Sequence, residues 1–276
     1  MTTMTSIKAD PDFTVIKTKQ NAAWSSGDYA RIGSTLQIVG EELAETMDLS
    51  PGSKVLDVAA GNGNATLAFA RRACDVTSTD FVEVLLARGQ SRALAEGLDV
   101  HYQVADAEQL PFADGSFDAV VSTFGVMFTP NQAVAARELR RVCRPGGRIG
   151  LANWTPDGFI GQLFKTLGGH VAPPAGVKSP ALWGNEAWID ETFENKSRSI
   201  ALQKKAFVFR YHSAEHFLQF FRTYYGPVHK AFLSLEAGAQ ELLATDIHKL
   251  IARMNTATDG SMRVPSDYLE IIVTKA

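Results

Sequence analysis

The sequence predicts an α/β fold in which a doubly wound, mostly parallel sheet carries helices on both faces. The first observation is that short apolar runs of strand length alternate with amphipathic runs of helical length between residues 54 and 154. The second is that glycine and acidic residues follow the ends of the strand runs. Strands and helices that alternate form right-handed crossovers and a parallel sheet. Ligands of such sheets bind beyond the carboxyl ends of the strands, so we expect the functional site there.

The first predicted element is an amphipathic helix within residues 28–49, which the turn residues 50–53 end. Residues 1–14 are polar, and we expect them to be frayed. The following strands are predicted at 54–59, 75–80, 99–106, 116–124 and 148–154, and the helices between them at 64–73, 82–97 and 131–143. Residues 144–147, with the sequence RPGG, are predicted to break the last of these helices.

The chain after Trp154 is less regular. Helices are predicted at 158–171, 213–225 and 236–255, strands at 200–211 and 267–276, and a Pro/Gly-rich connector at 172–184. We expect the closing strand to join the same sheet and part of the segment from about 155 to 265 to form a lid over the strand ends. The predicted organisation is a helical cap (1–50), a core (51–155) and an elaboration with the closing strands of the same domain (156–276).

The composition is that of a globular protein, with 45% hydrophobic and 21% charged residues and a formal net charge of -3. This balance gives no overall attraction to nucleic acid or to an anionic membrane. The two cysteines, Cys74 and Cys143, are too few for a disulfide framework and favour a cytoplasmic location with inert thiols. We expect no secretory signal and no membrane span, because the N-terminus has no apolar region and no run reaches ~18 apolar residues.

A small, glycine-rich loop follows the first strand in the stretch KVLDVAAGNGN. A helix N-terminus offers unpaired N–H groups there, and glycine lets a ligand approach the backbone closely. The spacing Asp57, Ala59, Gly61, Gly63 differs from the G-x-G-x-x-G of dinucleotide-binding loops, which disfavours a nicotinamide dehydrogenase. A carboxylate before the glycines repels a pyrophosphate and attracts an ammonium group. The loop therefore predicts a ligand with a positively charged amino acid end.

The next three strands end in residues that suit the rest of such a ligand. Asp80 lies ~20 residues after the glycines, where a carboxylate can accept both hydroxyls of a ribose, and Phe81 can stack on a base. Asp106 can accept a hydrogen bond from an adenine amino group, and Thr123 and Phe124 can line the floor of the site. An amino acid, a ribose and an adenine together describe S-adenosylmethionine. Each feature also has a plain structural alternative: a strand-to-helix turn for the glycines, a helix cap for Asp80 and a turn for Asp106.

Four stretches of the chain resemble class I S-adenosylmethionine-dependent methyltransferases, and the nearest branch contains the ubiquinone/menaquinone C-methyltransferases of small molecules. They are VLDVAAGNGN, TDF, ADAEQLPFADGSFDAVVSTFGVMF and ELRRVCRPGGRIGLANW, within residues 50–155. The resemblance implies a seven-stranded sheet whose last strand is antiparallel. It implies that Asp57 and the Gly61 loop hold the methionine part, Asp80 the ribose, and Asp106, with Ala107 beside it, the adenine. Ala59 departs from the family, which has a glycine there.

The sequence signals for the site of the methyl acceptor are weaker than those for the cofactor site. Members of this family commonly cover the cofactor with their N-terminal segment, so Trp24 and Tyr29 are candidates for closing the site, although Trp24 suits a core position equally well. We hypothesise that a small, fairly apolar acceptor lies beneath the aromatic residues of 183–232, each of which also suits a core position. No catalytic base is assigned. The candidates are Tyr29, His170, His212, Tyr225, His216 and His229.

The predicted reaction is in-line methyl transfer to an oxygen or sulfur atom of a small molecule, without a metal. The alternatives are methylation of carbon or nitrogen and a non-catalytic module that binds the cofactor. Methylation of RNA or protein is disfavoured by the acidic charge and by STFG after the fourth strand, where amino-directed methylators carry an Asn/Asp-Pro-Pro-aromatic motif. The expected partners are a small-molecule acceptor and, as an open option, a second copy of the chain in a homodimer, and not nucleic acid.

Overall fold

Seven strands form one sheet in a computed structural model that describes residues 11–276. The strands are β1 (Lys54–Val58), β2 (Asp75–Asp80), β3 (His101–Val104), β4 (Phe117–Thr123), β5 (Cys143–Trp154), β6 (Ser197–Tyr211) and β7 (Met262–Lys275). Their order across the sheet is β3-β2-β1-β4-β5-β7-β6. Strands β1 to β5 pair in parallel, and β7 is antiparallel to both β5 and β6. The seven-stranded, doubly wound sheet with an antiparallel last strand is therefore confirmed.

The helices cover both faces of this sheet. They are α1 (Phe13–Trp24), α2 (Tyr29–Gly33), α3 (Gln37–Met47), α4 (Asn64–Arg71), α5 (Glu83–Ala95), α6 (Gln132–Val142), α7 (Phe159–His170), α8 (Glu186–Phe193), α9 (Ala214–Tyr224), α10 (Gly226–Ser234) and α11 (Ala237–Met254). Strand β1 is buried on both sides because its alternate residues enter different clusters. Val55 packs in a cluster with Met47 and Phe69, and Leu56 packs in the larger one with Leu139. The order of the strands reverses beside β1, which places the switch point between β1 and β4.

The N-terminal cap differs from the prediction. Residues 13–24 form helix α1, which was not predicted, and residues 13 and 14 are helical although they were expected to be frayed. The Asp12 side chain caps the helix by accepting the backbone N–H groups of Thr14 and Val15 at 3.1 Å. The pattern gave no signal because α1 buries only Ile16 and has no apolar stripe. The predicted continuous helix at 28–49 is instead α2, a 3₁₀ turn and α3. The expectation for residues 1–10 lies outside the described residues.

Two further expectations need correction. Strand β5 begins at Cys143 and includes residues 144–147, which were predicted to separate the helix from the strand. A register shift between Phe117 and Ala119 of β4 accommodates this early start. Helices α8 and α10 were not predicted. After β6, α9 contacts α2 and α10 contacts α1, so the C-terminal helices and the N-terminal helices pack together.

Two absences apply to residues 11–276. No helix there is both long and apolar enough to cross a membrane. No group of three or more His, Cys, Asp or Glu side chains there is close enough to share a metal ion.

Candidate active site

A cavity that opens to solvent lies at the carboxyl ends of β1, β2 and β4, beneath α1. This is the edge of the sheet at which the sequence predicts the site. Ten of the predicted site residues line it: Trp24, Tyr29, Ala59, Gly61, Asp80, Phe81, Asp106, Ala107, Thr123 and Phe124. Residues that lie far apart in the sequence meet here because parallel strands end at one edge of the sheet.

Asp80 ends β2 and holds the loop that follows β1. Its Oδ2 accepts the backbone N–H of Gly61 at 2.9 Å, and its Oδ1 accepts that of Val82 at 2.8 Å. Burial raises the pKa of Asp80 to about 6, although these N–H groups oppose the rise. Each carboxylate oxygen has further lone pairs. Asp80 can therefore accept hydrogen bonds from a ligand while it orders the loop.

The loop between β1 and α4 has unusual backbone geometry. Ala59 adopts a left-handed conformation with φ of 53°, which is unfavourable for a residue with a side chain. Gly125, after β4, packs directly against it, because an ideal Cβ at Gly125 would lie 2.0 Å from the Ala59 carbonyl oxygen. A Cβ at Gly61 would have the ring of Tyr29 as its nearest neighbour, at 3.4 Å. The loop thus keeps its backbone open to the cavity.

Two residues of the predicted binding set, Asp57 and Gly63, do not line the cavity. Asp57 is fully buried behind the loop, where its Oδ2 accepts the backbone N–H of Thr66 at 2.8 Å and the hydroxyl of Thr66 at 2.6 Å. Its Oδ1 is buried without a hydrogen-bond partner in the described part of the chain. Burial raises the pKa of Asp57 to about 7, against the effect of the bonds from Thr66. Gly63 is the N-cap residue of α4. Asp57 therefore orders the first turn of α4, and the loop separates it from the cavity.

A second, much smaller and tightly packed cavity adjoins the first and shares four lining residues with it. The shared residues are Tyr29, Leu36, Phe124 and Phe128, and the others are Ile32, Trp154, Ile160, Phe209, Phe221 and Tyr225. We call it the aromatic cavity. The rings of Phe124 and Trp154 stack there with centroids 3.9 Å apart. Burial raises the pKa of Tyr29 and of Tyr225 above the ordinary value, so both hydroxyls stay protonated.

Comparison with known proteins gives the family. Residues 56–151 match the family of the methyltransferase domain. An uncharacterised protein of Mycobacterium tuberculosis is 39% identical over 231 residues, which are 83% of this chain and 84% of that protein. The ubiquinone/menaquinone biosynthesis C-methyltransferase UbiE of Burkholderia multivorans is 43% identical over 105 residues, which are 37% of this chain and 43% of UbiE. The chain belongs to the class I S-adenosylmethionine-dependent methyltransferases.

A solved structure shares the fold. A putative methyltransferase from Bacillus halodurans superposes with a TM-score of 0.60 at 20% identity, over 85% of this chain and 97% of the other. The resemblance seen in the sequence is confirmed, as are the class of enzyme and its cofactor, S-adenosylmethionine.

The cavity of this methyltransferase has the chemistry that such a cofactor needs. Asn62 is 2% exposed and lines the cavity, and its Nδ2 has no hydrogen-bond partner among residues 11–276. A buried amide without a partner costs free energy unless a ligand pairs with it. The donor of Asn62, the acceptors of Asp80 and the bare backbone at Gly61 together suit a polar ligand. Sequence reasoning missed Asn62, although it lies inside the quoted loop.

Helix α1 roofs this cavity through the polar contacts of three side chains. Lys17 Nζ lies 2.6 Å from Asp106 Oδ2 and 2.6 Å from Glu108 Oε2. Gln20 Nε2 donates to the Phe128 carbonyl at 3.0 Å, and Asn21 Nδ2 donates to the Phe81 carbonyl at 2.7 Å. The helix is thus tied to the chain beyond β2, β3 and β4. Sequence reasoning missed Lys17 and Gln20, since no helix was predicted at 13–24.

The histidines that were candidates for a catalytic base lie away from both cavities. His170 Nε2 is 2.9 Å from Asp246 Oδ2 and so joins α7 to α11. His212 stacks on His216, and His229 Nδ1 lies 2.9 Å from the Arg222 carbonyl oxygen. None of the four lines either of the cavities that the described residues enclose. These histidine side chains lie at helix ends or join two helices. The candidates that line a cavity are therefore Tyr29 and Tyr225.

The predicted aromatic cluster divides between two places. Phe209, Phe221 and Tyr225 line the aromatic cavity. Trp183 and Trp188 pack on each other at 4.8 Å and do not line it. Both groups are aromatic residues of the same part of the chain, so the sequence did not distinguish them.

Proposed function

We propose that this methyltransferase binds S-adenosylmethionine in the large cavity and methylates an oxygen or sulfur atom of a small molecule held against the aromatic residues that adjoin it, without a metal. The observation that carries the proposal is the shared wall. Tyr29, Leu36, Phe124 and Phe128 line both cavities, so a ligand in one adjoins a ligand in the other. A small apolar acceptor suits the aromatic walls.

The roles proposed for the cofactor-binding residues follow from their positions. Asp80 accepts the ribose hydroxyls, since both of its oxygens have free lone pairs beside the cavity. The backbone at Ala59 and Gly61, with the amide of Asn62, holds the methionine end. These groups surround the part of the cavity nearest to β1.

The adenine end lies against the chain after β2 and β3. Phe81 and Ala107 supply apolar contacts. Asp106 accepts a hydrogen bond from the adenine amino group with a carboxylate that also pairs with Lys17. Trp24, on α1, closes the cavity, and Thr123 and Phe124 form its floor. Asp57 acts indirectly, through α4.

When bound, S-adenosylmethionine supplies a methyl group on a positively charged sulfur, which leaves as a neutral thioether. The protein's task is to align the acceptor and to exclude water. Helix α1 and the aromatic walls exclude water, and the ring of Phe124, fixed on Trp154, sets the position of the acceptor.

The test is calorimetric titration with S-adenosylmethionine of the wild-type protein, Asp80→Ala and Asp75→Ala. Asp75 is the matched control, because it begins the same strand and is exposed at the opposite edge of the sheet. We expect micromolar binding by the wild type and Asp75→Ala, and at least 100-fold weaker binding by Asp80→Ala. Equal affinity of all three proteins would contradict the ribose role, and no binding by the wild type would contradict the proposed function.

A further inference from the structure

The buried amide of Asn62 is supported by two residues, Gly33 and Arg92, that do not line the large cavity. The amide Nδ2 has no hydrogen-bond partner among residues 11–276, so none of these residues aims this donor by bonding to it. The amide oxygen instead packs against Gly33 of α2, where an ideal Cβ would lie 2.2 Å from Oδ1. Glycine at position 33 therefore leaves the space that the amide occupies.

Arg92 of α5 fixes the backbone that carries this amide. Its Nη1 donates to the Asn62 carbonyl at 2.7 Å and to Asn64 Oδ1 at 2.9 Å. The N–H of Gly63 donates to the Ala60 carbonyl at 2.9 Å. The peptide group between Asn62 and Gly63 is thus hydrogen-bonded at its oxygen and at its nitrogen, and it cannot rotate without breaking these bonds.

The same contacts tie the loop to the N-terminal helices. Asn64 Nδ2 donates to the Gly33 carbonyl at 2.7 Å, and Arg92 Nη2 donates to Gln37 Oε1 of α3 at 3.3 Å. Arg92 therefore reaches Gly33 through Asn64. Helices α2, α3 and α5 and the loop after β1 hold one another at the place where the amide lies.

A surface ion pair does not account for Arg92. The guanidinium is half-buried, and burial lowers its pKa. Glu96, at the end of the same helix, pairs with Arg71 at 2.6 Å. Burial of a charge costs free energy that a carboxylate usually offsets, whereas the partners of Arg92 within residues 11–276 are carbonyl and amide oxygens. The planar guanidinium suits this task, since it reaches several acceptors in fixed directions.

From these contacts we infer that Arg92 and Gly33 are positioning residues, which hold the Asn62 amide so that its Nδ2 donates to the carboxylate of the amino acid end of the cofactor. The inference rests on the proposed function, which places that end at Ala59, Gly61 and Asn62, and it adds how the donor is aimed. A hydrogen bond to a charged acceptor is strong and depends on direction. A donor that is held in place beforehand loses little side-chain entropy when the ligand binds.

The test compares two ligands, S-adenosylhomocysteine and methylthioadenosine. Both contain adenine, ribose and a thioether sulfur, but only S-adenosylhomocysteine has the amino acid end. A misplaced Asn62 amide should therefore weaken binding of S-adenosylhomocysteine alone. General loss of structure should weaken binding of both ligands. Both affinities are measured by calorimetry, at a temperature at which circular dichroism shows each variant to be folded.

The variants are Arg92→Met and Gly33→Ala, each with a matched control. Arg88→Met removes a charge from the same helix at a side chain that is 61% exposed. Gly168→Ala adds a methyl group in α7 with no atom within 4 Å of it. We expect Arg92→Met and Gly33→Ala to weaken S-adenosylhomocysteine binding at least 10-fold and to leave methylthioadenosine within about twofold of wild type. Both controls should match wild type for both ligands.

A double-mutant cycle with Asn62→Ala shows whether the two residues act through the amide. In the protein that already carries Asn62→Ala, we expect Arg92→Met and Gly33→Ala to weaken S-adenosylhomocysteine binding by less than about threefold. The reason is that the donor is then absent and the Cβ at position 33 meets no amide. The cycle also decides the matter if methylthioadenosine binds too weakly to measure.

Three results would overturn the inference while the proposed function stands. They are unchanged affinity for S-adenosylhomocysteine in Arg92→Met and Gly33→Ala, an equal loss for both ligands, and the same loss with and without the Asn62 amide. In each case the wild-type protein still binds S-adenosylhomocysteine. No binding of S-adenosylhomocysteine by the wild type would instead contradict the proposed function itself.

Discussion

The carboxylate of Asp80 accepts the backbone N–H of Gly61 at 2.9 Å and thereby ties the end of β2 to the loop after β1. The second oxygen of the same carboxylate accepts the N–H of Val82 at 2.8 Å. Asp80 consequently has a structural role before any ligand arrives. The loop after β1, with its left-handed residues, stays ordered because this buried acceptor pairs the N–H group of Gly61.

Replacing Asp80 with asparagine should destabilise the ligand-free protein. Asparagine has one acceptor oxygen, so one of the two N–H groups, of Gly61 or of Val82, loses its partner. We expect the free energy of unfolding in urea to fall by about 1–3 kcal/mol. Asp75→Asn, at the exposed start of the same strand, should change it by less than about 0.5 kcal/mol. Equal stability of the two variants would show that Asp80 serves only the ligand.

Asp57 should make the stability depend on pH in a way that Asp57→Asn removes. The pKa of Asp57 is about 7 in the folded protein against an ordinary value of 3.8, chiefly because of burial. A raised folded pKa stabilises the protein below pH ~4, and this stabilisation is lost as the pH rises through about 7. Asparagine keeps one acceptor for both groups of Thr66 and does not titrate.

The measurement is the difference in unfolding free energy between Asp57→Asn and wild type at pH 4.5, 6 and 8. We expect this difference to move in favour of the variant by a few kcal/mol as the pH rises, at about 1.4 kcal/mol for each unit of pKa shift. A difference independent of pH would mean that Asp57 ionises as readily in the folded protein as in the unfolded chain.

Gly125→Ala should disrupt the junction between β4 and the loop after β1. The added Cβ would lie 2.0 Å from the Ala59 carbonyl oxygen, a backbone atom that cannot turn away. We expect a loss of about 1–3 kcal/mol in thermal or denaturant unfolding, together with weaker binding of S-adenosylmethionine. Gly168→Ala is the control: it lies in helix α7 with no atom within 4 Å of its Cβ and should stabilise the protein by up to about 1 kcal/mol. Equal effects of the two changes would contradict the close contact.

Ala59→Gly should stabilise the protein, because glycine adopts the left-handed conformation of this position without strain. We expect a gain of about 1 kcal/mol in the free energy of unfolding. Ala73, with φ of 58°, should show a similar gain when changed to glycine. Ala87→Gly, in the exposed interior of α5, should instead lose about 1 kcal/mol. Loss of stability in Ala59→Gly would indicate that the methyl group of Ala59 contributes more than the strain costs.

Lys17→Met should speed the release of bound S-adenosylmethionine. The ammonium group of Lys17 links α1 to Asp106 and to Glu108, whose side chain is 5% exposed. Without it, α1 keeps the hydrogen bonds of Gln20 and Asn21 and the packing of Trp24 but loses its ion pairs, and it opens more often. We expect a several-fold faster dissociation rate in stopped-flow measurements. Lys19→Met, at an exposed position of the same helix, should leave the rate unchanged. A rate unaffected by Lys17→Met would show that α1 is not the barrier to release.

The sequence by itself determined the sheet and the residues at the carboxyl ends of its parallel strands. Periodicity distinguishes strands buried on both faces, such as β1, from amphipathic helices, and parallel strands bring Gly61, Asp80 and Asp106 to one edge whatever the rest of the chain does. These features depend on local patterns and on a topology with few alternatives.

Only the tertiary structure decided what covers that edge. Helix α1 has no apolar stripe and owes its position to contacts such as that of Lys17 with Asp106, 89 residues further along the chain. The sequence could not separate Tyr225, which reaches the aromatic cavity, from Trp183, which packs elsewhere, because both are buried aromatic residues. It could not place Asp57 behind the loop, since a carboxylate at the end of a strand pairs with whichever donor the fold brings to it, here Thr66.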